Sequence, residues 1–190
     1  GYFKKLKSPI EQTQESSGGT VIRSFRNAED GIATGVEIEF RKELFKNLRI
    51  GANGSYMYTN VILPEGGVYT DSERALQGAS PFLINADISY TPQLRGESDL
   101  TLALVYNVQG PRIETVGIYG TGNIKQQTLH TMDFIASYAI NKHLNLRLQM
   151  KDLLNSTIRF KQELPATGQK VEVESFRPGT NAEIGVSYRF

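Results

Sequence analysis

The sequence predicts an all-β protein: an antiparallel up-and-down meander of about eight strands that forms a transmembrane β-barrel. Three observations support this prediction. Apolar and polar residues alternate along most of the chain, connections alternate between short and long, and the aromatic residues of the apolar face fall into two bands. Period-two alternation puts apolar side chains on one face of a strand, whereas a helix spaces them three or four residues apart.

The strands are assigned in chain order from this alternation. The first is residues 2–14, which are extended in composition but less regular, and the second is residues 20–44, with a bulge near Asp30 and Gly31. More regular strands follow at residues 49–59, 82–91, 99–109, 131–141, 144–151 and 181–190. In residues 144–151, for example, Leu144, Leu146, Leu148 and Met150 alternate with polar residues.

The connections between these strands differ in length according to the end of the sheet on which they lie. The short ones are residues 45–47, 92–98 and 141–143, and the longer ones are residues 15–19, 63–80, 110–129 and 155–180. Outer-membrane barrels keep short turns on the periplasmic side and long loops outside. We therefore expect the chain to start and end on the periplasmic side.

Aromatic residues of the apolar face are sorted towards its two ends. Those near the long connections are Tyr56, Tyr58, Phe82 and Tyr106, and those near the short turns are Phe40, Tyr90, Tyr138, Tyr188 and Phe190. Two aromatic bands around an aliphatic belt are typical of the two interfaces of a bilayer. This sorting favours a membrane barrel over a sealed, water-soluble core.

Composition excludes several other classes of protein. The mean hydropathy is −0.34 and no apolar run reaches the ~18 residues of a transmembrane helix. A net charge of +1 gives no electrostatic footprint for nucleic acid, and without cysteine the chain has no thiolate nucleophile or cysteine metal site. No signal peptide is visible in the first residues. We expect no nucleic-acid partner and no cofactor.

Several segments resemble the late strands of TonB-dependent outer-membrane receptors, of the Bacteroidetes type. They are Gly35-Val-Glu-Ile-Glu-Phe-Arg-Lys, Leu48-Arg-Ile-Gly-Ala-Asn-Gly-Ser-Tyr-Met-Tyr-Thr-Asn, the stretch from Arg74 to Tyr90, Lys151-Asp-Leu-Leu-Asn155 and Tyr2-Phe-Lys-Lys-Leu-Lys-Ser-Pro-Ile-Glu. In Lys151–Asn155, Asp152 and Leu154 depart from the usual Asn-Leu-Phe-Asn pattern. The ending Tyr188-Arg189-Phe190 is similar to the C-terminal signature that the barrel-insertion machinery reads, so Tyr188 and Phe190 are the expected assembly signal.

The resemblance implies that residues 1–190 are the C-terminal segment of a barrel of about 22 strands. A whole receptor of this family also has an N-terminal plug and a segment that binds TonB, and neither is visible in this chain. The implied function is energised import of a nutrient such as a siderophore, vitamin, glycan or peptide. The implied partners are outer-membrane lipid, the plug and earlier strands, TonB and the insertion machinery.

Candidate ligand contacts lie in the long connections, where exposed aromatic and cationic residues are expected to meet substrate. They are Tyr69, Arg74, Arg112, Tyr119 and Phe176.

We expect no catalytic residue and no metal site. His130 and His143 lie at opposite ends of one predicted strand, and Glu65, Asp71 and Glu73 lack the spacing of a calcium loop. A Ser137–Asp133–His130 triad fails because His130 points away from the other two in a regular strand. The glycine-rich residues 117–122 do not join a strand to a helix, as a phosphate-binding loop does.

Two other classes of protein remain open at the level of sequence. The chain can be a complete small barrel of eight strands with a structural or adhesive role, because alternation alone does not distinguish it from part of a larger barrel. It can also be a soluble ligand-binding barrel or sandwich, in which the apolar face is buried.

Overall fold

The computed structural model describes residues 1–17, 20–64, 69–94 and 98–190. Within these ranges all regular secondary structure is β-strand, in two sheets. No helix in the described ranges has the length and apolar character needed to cross a membrane.

The main sheet is an antiparallel meander whose strands follow one another in chain order. Its path consists of β1 (Tyr2–Lys7), β4 (Asp30–Phe45), β5 (Leu48–Ile62), β7 (Phe82–Tyr90), β8 (Asp99–Gln109), β11 (Leu129–Ala139), β12 (Leu144–Lys151) and β15 (Asn181–Tyr188), with the short β6 (Glu73–Arg74) beside the end of β5. The predicted eight-stranded meander is confirmed. Closure into a barrel is not confirmed, because within the described residues β1 and β15 do not pair and each has one unpaired edge.

The register of the main sheet builds one continuous apolar face. Directly opposed pairs include Tyr56 with Phe82, Leu104 with Phe134, and Leu148 with Ile184. This face is not covered, since Ile38 and Ile184 are 73% and 77% exposed. The soluble barrel or sandwich requires this face to be buried, so the exposed side chains contradict that alternative.

The second sheet is built from segments that connect the strands of the main sheet, and we call it the extension sheet. In spatial order it contains β14 (Lys170–Phe176), β13 (Ile158–Glu163), β10 (Ile124–Gln126), β9 (Arg112–Gly117), β2 (Ile10–Ser17) and β3 (Thr20–Asn27). The prediction that residues 110–129 and 155–180 are loops is therefore wrong, because each segment contributes two strands. Strand β2 joins β9 in parallel through Thr13–Val116, a long-range contact that local patterns do not specify.

The predicted strands at residues 2–14 and 20–44 are each divided in two. The chain forms one long hairpin whose arms are interrupted at the same level, between the pairs Lys7–Asp30 and Ile10–Asn27. Pro9 has no backbone N–H for a ladder, and Ser8 has a φ of 45°, so the first arm breaks there. The upper half of the hairpin, β2 and β3, enters the extension sheet and the lower half stays in the main sheet.

The buried core lies where the two sheets meet. Val61, Leu63 and Ala28 form one cluster there, with Tyr69 and Leu76 packed against it, and Val116 and Ile118 are also buried. The tight turns all lie at the opposite end of the main sheet, as predicted from the connection lengths. One end of the main sheet is therefore covered by the extension sheet, and the other end consists of short turns.

Candidate functional site: a cleft beneath the extension sheet

A cleft of about 680 Å³ opens between the end of β5 and strands β9, β10 and β13. It exists because β7 begins at Phe82, opposite Tyr56, whereas β5 continues to Ile62. The neighbouring edge of β5 is filled only in part by β6, which pairs with Val61 and Ile62. The polar and aromatic side chains that line the cleft include Tyr56, Tyr58, Asn60, Asp71, Glu73, Arg74, Arg112, Asn123, Lys125 and Glu163.

A buried ion pair supports one wall of the cleft. The guanidinium of Arg74 donates from Nη1 and Nη2 to the two carboxylate oxygens of Glu11, at 2.9 and 2.7 Å. The two side chains are only 4% and 0% exposed. The Nε of Arg74 is buried and has no hydrogen-bond partner among the described residues. The pair fixes the guanidinium, and Nε remains as an unused donor beside the cleft.

Gln77 joins the strands that surround this pair. Its Oε1 accepts a hydrogen bond of 2.6 Å from the backbone N–H of Gln12, and its Nε2 donates to the carbonyls of Gln12 and Glu114 at 3.2 and 2.6 Å. One amide side chain therefore links the segment after β6 to both β2 and β9. β2 and β9 pair in parallel, and local sequence patterns do not specify this pairing. Gln77 stabilises the junction between these two strands.

Tyr69 lies at the back of the same region. Its hydroxyl donates to the carbonyl of Asn27 at 3.2 Å, and the guanidinium carbon of Arg74 lies 5.8 Å from its ring centroid. Burial raises the pKa of the Tyr69 phenol, and the carboxylate of Glu11 raises it further. The phenol is thus held in its protonated, donating form.

The structure separates the five predicted ligand contacts. Arg74 and Arg112 line the cleft, and Tyr69 packs behind Arg74. Tyr119 is 64% exposed on the turn after β9, at a φ of 54°. Phe176 ends β14 and stacks on Phe160 with ring centroids 6.3 Å apart. Arg74 is the one whose surroundings differ most from the expectation, because its side chain is buried and paired instead of exposed.

Arg112 keeps a partly accessible cationic group in the cleft wall. Its Nε donates to Oε1 of Gln126 at 3.0 Å, and its Nη2 is 3.7 Å from the Glu114 carboxylate. Lys125 also lines the cleft, is exposed, and forms no ion pair within the described part of the chain. These two side chains could hold an anionic or hydrogen-bond-accepting group of a ligand.

Phe160 and Phe176 belong to a second, smaller cavity on the extension sheet. It has a volume of about 370 Å³ and is also lined by Arg23, Ile124, Val173 and Glu174. An aromatic pair with charged neighbours could contact a ligand, but here the ring stack also holds β13 to β14.

Glu11, Gln77 and Lys125 are not among the residues predicted from the sequence to form the site. Glu11 lies in residues 2–14, which were assigned to barrel wall, so its carboxylate had no expected partner. A carboxylate and an arginine 63 residues apart give no local signal. Lys125 lies in residues 110–129, which were treated as loop without further structure.

The residues considered for catalysis or metal binding are engaged elsewhere. Ser137 contacts Asn145, Asp133 accepts from the backbone N–H of Asp152, and the ring of His130 contacts the Tyr106 hydroxyl at 2.7 Å. The described ranges hold no group of three or more His, Cys, Asp or Glu placed to bind a metal. Glu65 lies outside the described residues.

The predicted assembly signal lies at the tight-turn end. Tyr188 closes β15, its ring stacks on His143 at 6.0 Å between centroids, and Phe190 meets it edge-on at 5.2 Å. Phe190 is beyond the end of the strand and its side chain is exposed. The predicted strand at residues 181–190 therefore ends two residues early, because its ladder with β12 stops at Leu144.

Comparison with known proteins gives one match. The model of a family described as "Outer membrane protein beta-barrel family" matches residues 1–188. No curated protein and no solved structure gives a significant match.

Proposed function

The chain belongs to the outer membrane protein β-barrel family, and from this we propose that it forms the C-terminal part of the barrel wall of a TonB-dependent receptor. The family places the protein in the bacterial outer membrane. The proposed receptor takes up a nutrient such as a siderophore, vitamin, glycan or peptide with energy delivered through TonB. Its plug, earlier barrel strands and TonB-binding segment are supplied outside these 190 residues.

The observation that carries this proposal is the pair of open edges of the main sheet. Strands β1 and β15 each pair on one side among the described residues. In lipid an unpaired backbone group costs several kcal/mol, so both edges require a neighbouring strand. Earlier strands of a larger barrel supply a neighbour to each edge, as the resemblance to receptor strands implies.

The extension sheet gives this portion its role in import. It lies at the end of the long connections, which is the outer side in barrels of this kind. In the proposed receptor the cleft contributes Arg112 and Lys125 to the surface that first meets the nutrient. The buried Glu11–Arg74 pair keeps that surface in one arrangement before ligand arrives.

A complete small barrel with a structural or adhesive role is the competing proposal. It is favoured by the number of strands along the main path, which is that of small outer-membrane barrels. In such a barrel β1 and β15 pair with each other. The two proposals therefore differ in the neighbour of β1.

Disulfide trapping in cells tests this difference, since residues 1–190 contain no cysteine. One cysteine replaces Lys4 in β1, and the second replaces Glu183, Gly185 or Ser187 in turn on β15. The matched control replaces Ser137 and Arg147, which are direct partners in β11 and β12. We expect the control to form a disulfide and the β1–β15 combinations to form none; a β1–β15 disulfide in the natural protein overturns the receptor proposal.

The coding sequence before Gly1 gives an independent test of the same proposal. A plug-like domain and further strands encoded there support the receptor. A signal peptide placed directly before Gly1 contradicts it and supports the small barrel.

A further inference from the structure

Along β1, the side chains on the apolar face of the main sheet change from aromatic to cationic. Phe3 lies opposite Thr34, whose other neighbour is Tyr58, so Phe3 belongs to the aromatic band near the long connections. Lys5 and Lys7 follow on the same face, because side chains two residues apart in a strand point the same way. The lipid-facing side of β1 therefore goes from an aromatic ring to two ammonium groups.

The same register sets the position of Lys5 along the strand direction relative to the aromatic band. Lys5 lies opposite Ile32, which lies opposite Asn60, so Lys5 and Asn60 share a row directly beyond the band. Two residues of strand rise about 7 Å. Since aromatic bands lie at the membrane interface, an ammonium about 7 Å further out lies at the level of the lipid headgroups.

Neither lysine is neutralised by a neighbour. Both side chains are exposed, and no ion pair of Lys5 or Lys7 occurs within the described ranges. Lys7 has Asp30 as its direct strand partner, whereas Lys5 faces the apolar Ile32. Of the two lysines, Lys5 therefore has less competition from a carboxylate of the protein.

Lys4 provides an internal comparison. It lies between Phe3 and Lys5 in sequence but on the opposite face, with its Nζ 5.7 Å from the ring centroid of Tyr2. Lys4 and Lys5 thus have the same charge and almost the same height and differ in the side of the sheet that they face.

We propose that Lys5, with Lys7, binds the phosphate groups of lipid headgroups in the outer leaflet around the barrel. An ammonium is a compact point charge suited to phosphate, and basic residues at a bilayer surface are attracted to anionic lipid. This site depends on family membership and on the direction of the apolar face, and it does not depend on the receptor proposal.

The test compares lipid binding by four forms of the natural full-length protein. Wild type, Lys5→Gln, Lys5→Arg and Lys4→Gln are placed in nanodiscs of zwitterionic lipid. Binding of bisphosphorylated lipid A and of dephosphorylated lipid A with the same acyl chains is then measured. Folding of each variant is checked by its heat-dependent gel shift.

We expect wild type, Lys5→Arg and Lys4→Gln to prefer the phosphorylated lipid, and Lys5→Gln to bind it about fivefold more weakly. Adding Lys7→Gln to Lys5→Gln should weaken binding further. The proposal is overturned if Lys5→Gln binds like wild type, or if Lys4→Gln loses as much affinity. It is also overturned if both lipids bind equally, or if millimolar inorganic phosphate displaces the lipid, because that identifies a site for free phosphate.

Discussion

At the scale of single residues, Glu11 and Arg74 form a buried ion pair that joins β2 of the extension sheet to β6 of the main sheet. Their side chains are buried and bonded through both carboxylate oxygens. Removing one partner leaves a buried charge without compensation, which typically costs ~3–5 kcal/mol. We predict that Glu11→Gln opens the extension sheet while the main sheet stays folded, measured as faster hydrogen exchange in β2 and β9.

Two further variants define this prediction. Glu37→Gln removes an exposed carboxylate on the polar face of β4 and should leave exchange unchanged. Glu11→Leu combined with Arg74→Met replaces the pair by apolar side chains and should recover much of the protection. If Glu11→Gln protects β2 and β9 as well as wild type does, the ion pair does not hold the junction.

Tyr69 makes the stability of the extension sheet depend on pH in the alkaline range. Burial and the nearby Glu11 carboxylate raise the pKa of the phenol above its ordinary value of about 10. The native state therefore keeps the phenolic proton at pH values where the unfolded state loses it. The stabilisation is fully present below the unfolded pKa and is lost as pH rises through the raised, folded pKa.

This shift is measured by tyrosine absorbance at alkaline pH. Subtracting the titration of Tyr69→Phe from that of wild type isolates one phenol. We predict a midpoint above 10 for that difference curve. A midpoint at or below 10 shows that the Tyr69 hydroxyl is freely solvated and does not hold the carbonyl of Asn27.

At the scale of elements, each main strand has an apolar face and a polar face, which the proposed barrel assigns to lipid and to the lumen. Leu148 and Gln149 are adjacent in β12 and point to opposite faces, with Ile184 and Glu183 as their partners in β15. Arginine on the lipid face near the bilayer centre costs about 2–4 kcal/mol, whereas a lumen position tolerates it. We predict that Leu148→Arg lowers the free energy of unfolding in lipid vesicles and so destabilises the protein. Gln149→Arg should leave that free energy unchanged.

Reversible folding in urea with vesicles measures this pair of variants. Both introduce the same side chain one residue apart, so a difference in folding free energy reports the face and not the arginine itself. Equal loss in the two variants contradicts a one-sided contact with lipid.

The strands of the extension sheet show which elements sequence patterns identify and which they do not. Residues 144–151 alternate over their whole length, and the structure places them in β12 as predicted. Lys170–Phe176 also alternates valine with glutamate, but it lies within residues 155–180, which the connection lengths predict to be a loop. Lys125 and its neighbours form a strand of three residues, which is too short to show a period.

At the scale of the whole molecule, the order of the main strands could be predicted from the sequence, whereas the cleft could not. The main strands pair with neighbours in the chain, so turn positions and alternation together specify them. The cleft depends on contacts such as Glu11 with Arg74 and Thr13 with Val116, whose partners are far apart in sequence. Local patterns contain no information on those pairings, although they did indicate Arg74 and Arg112 as residues of the long connections.

In the proposed barrel the apolar face of the main sheet contacts lipid. Nitroxide labels placed on single cysteines at each position from 144 to 151 test it most directly in the natural protein reconstituted in bilayers. We predict that oxygen, which concentrates in lipid, relaxes labels at Leu144, Leu146, Leu148 and Met150, whereas a water-soluble nickel chelate relaxes labels at the positions between them. Equal access at all positions, or the opposite alternation, contradicts the claim.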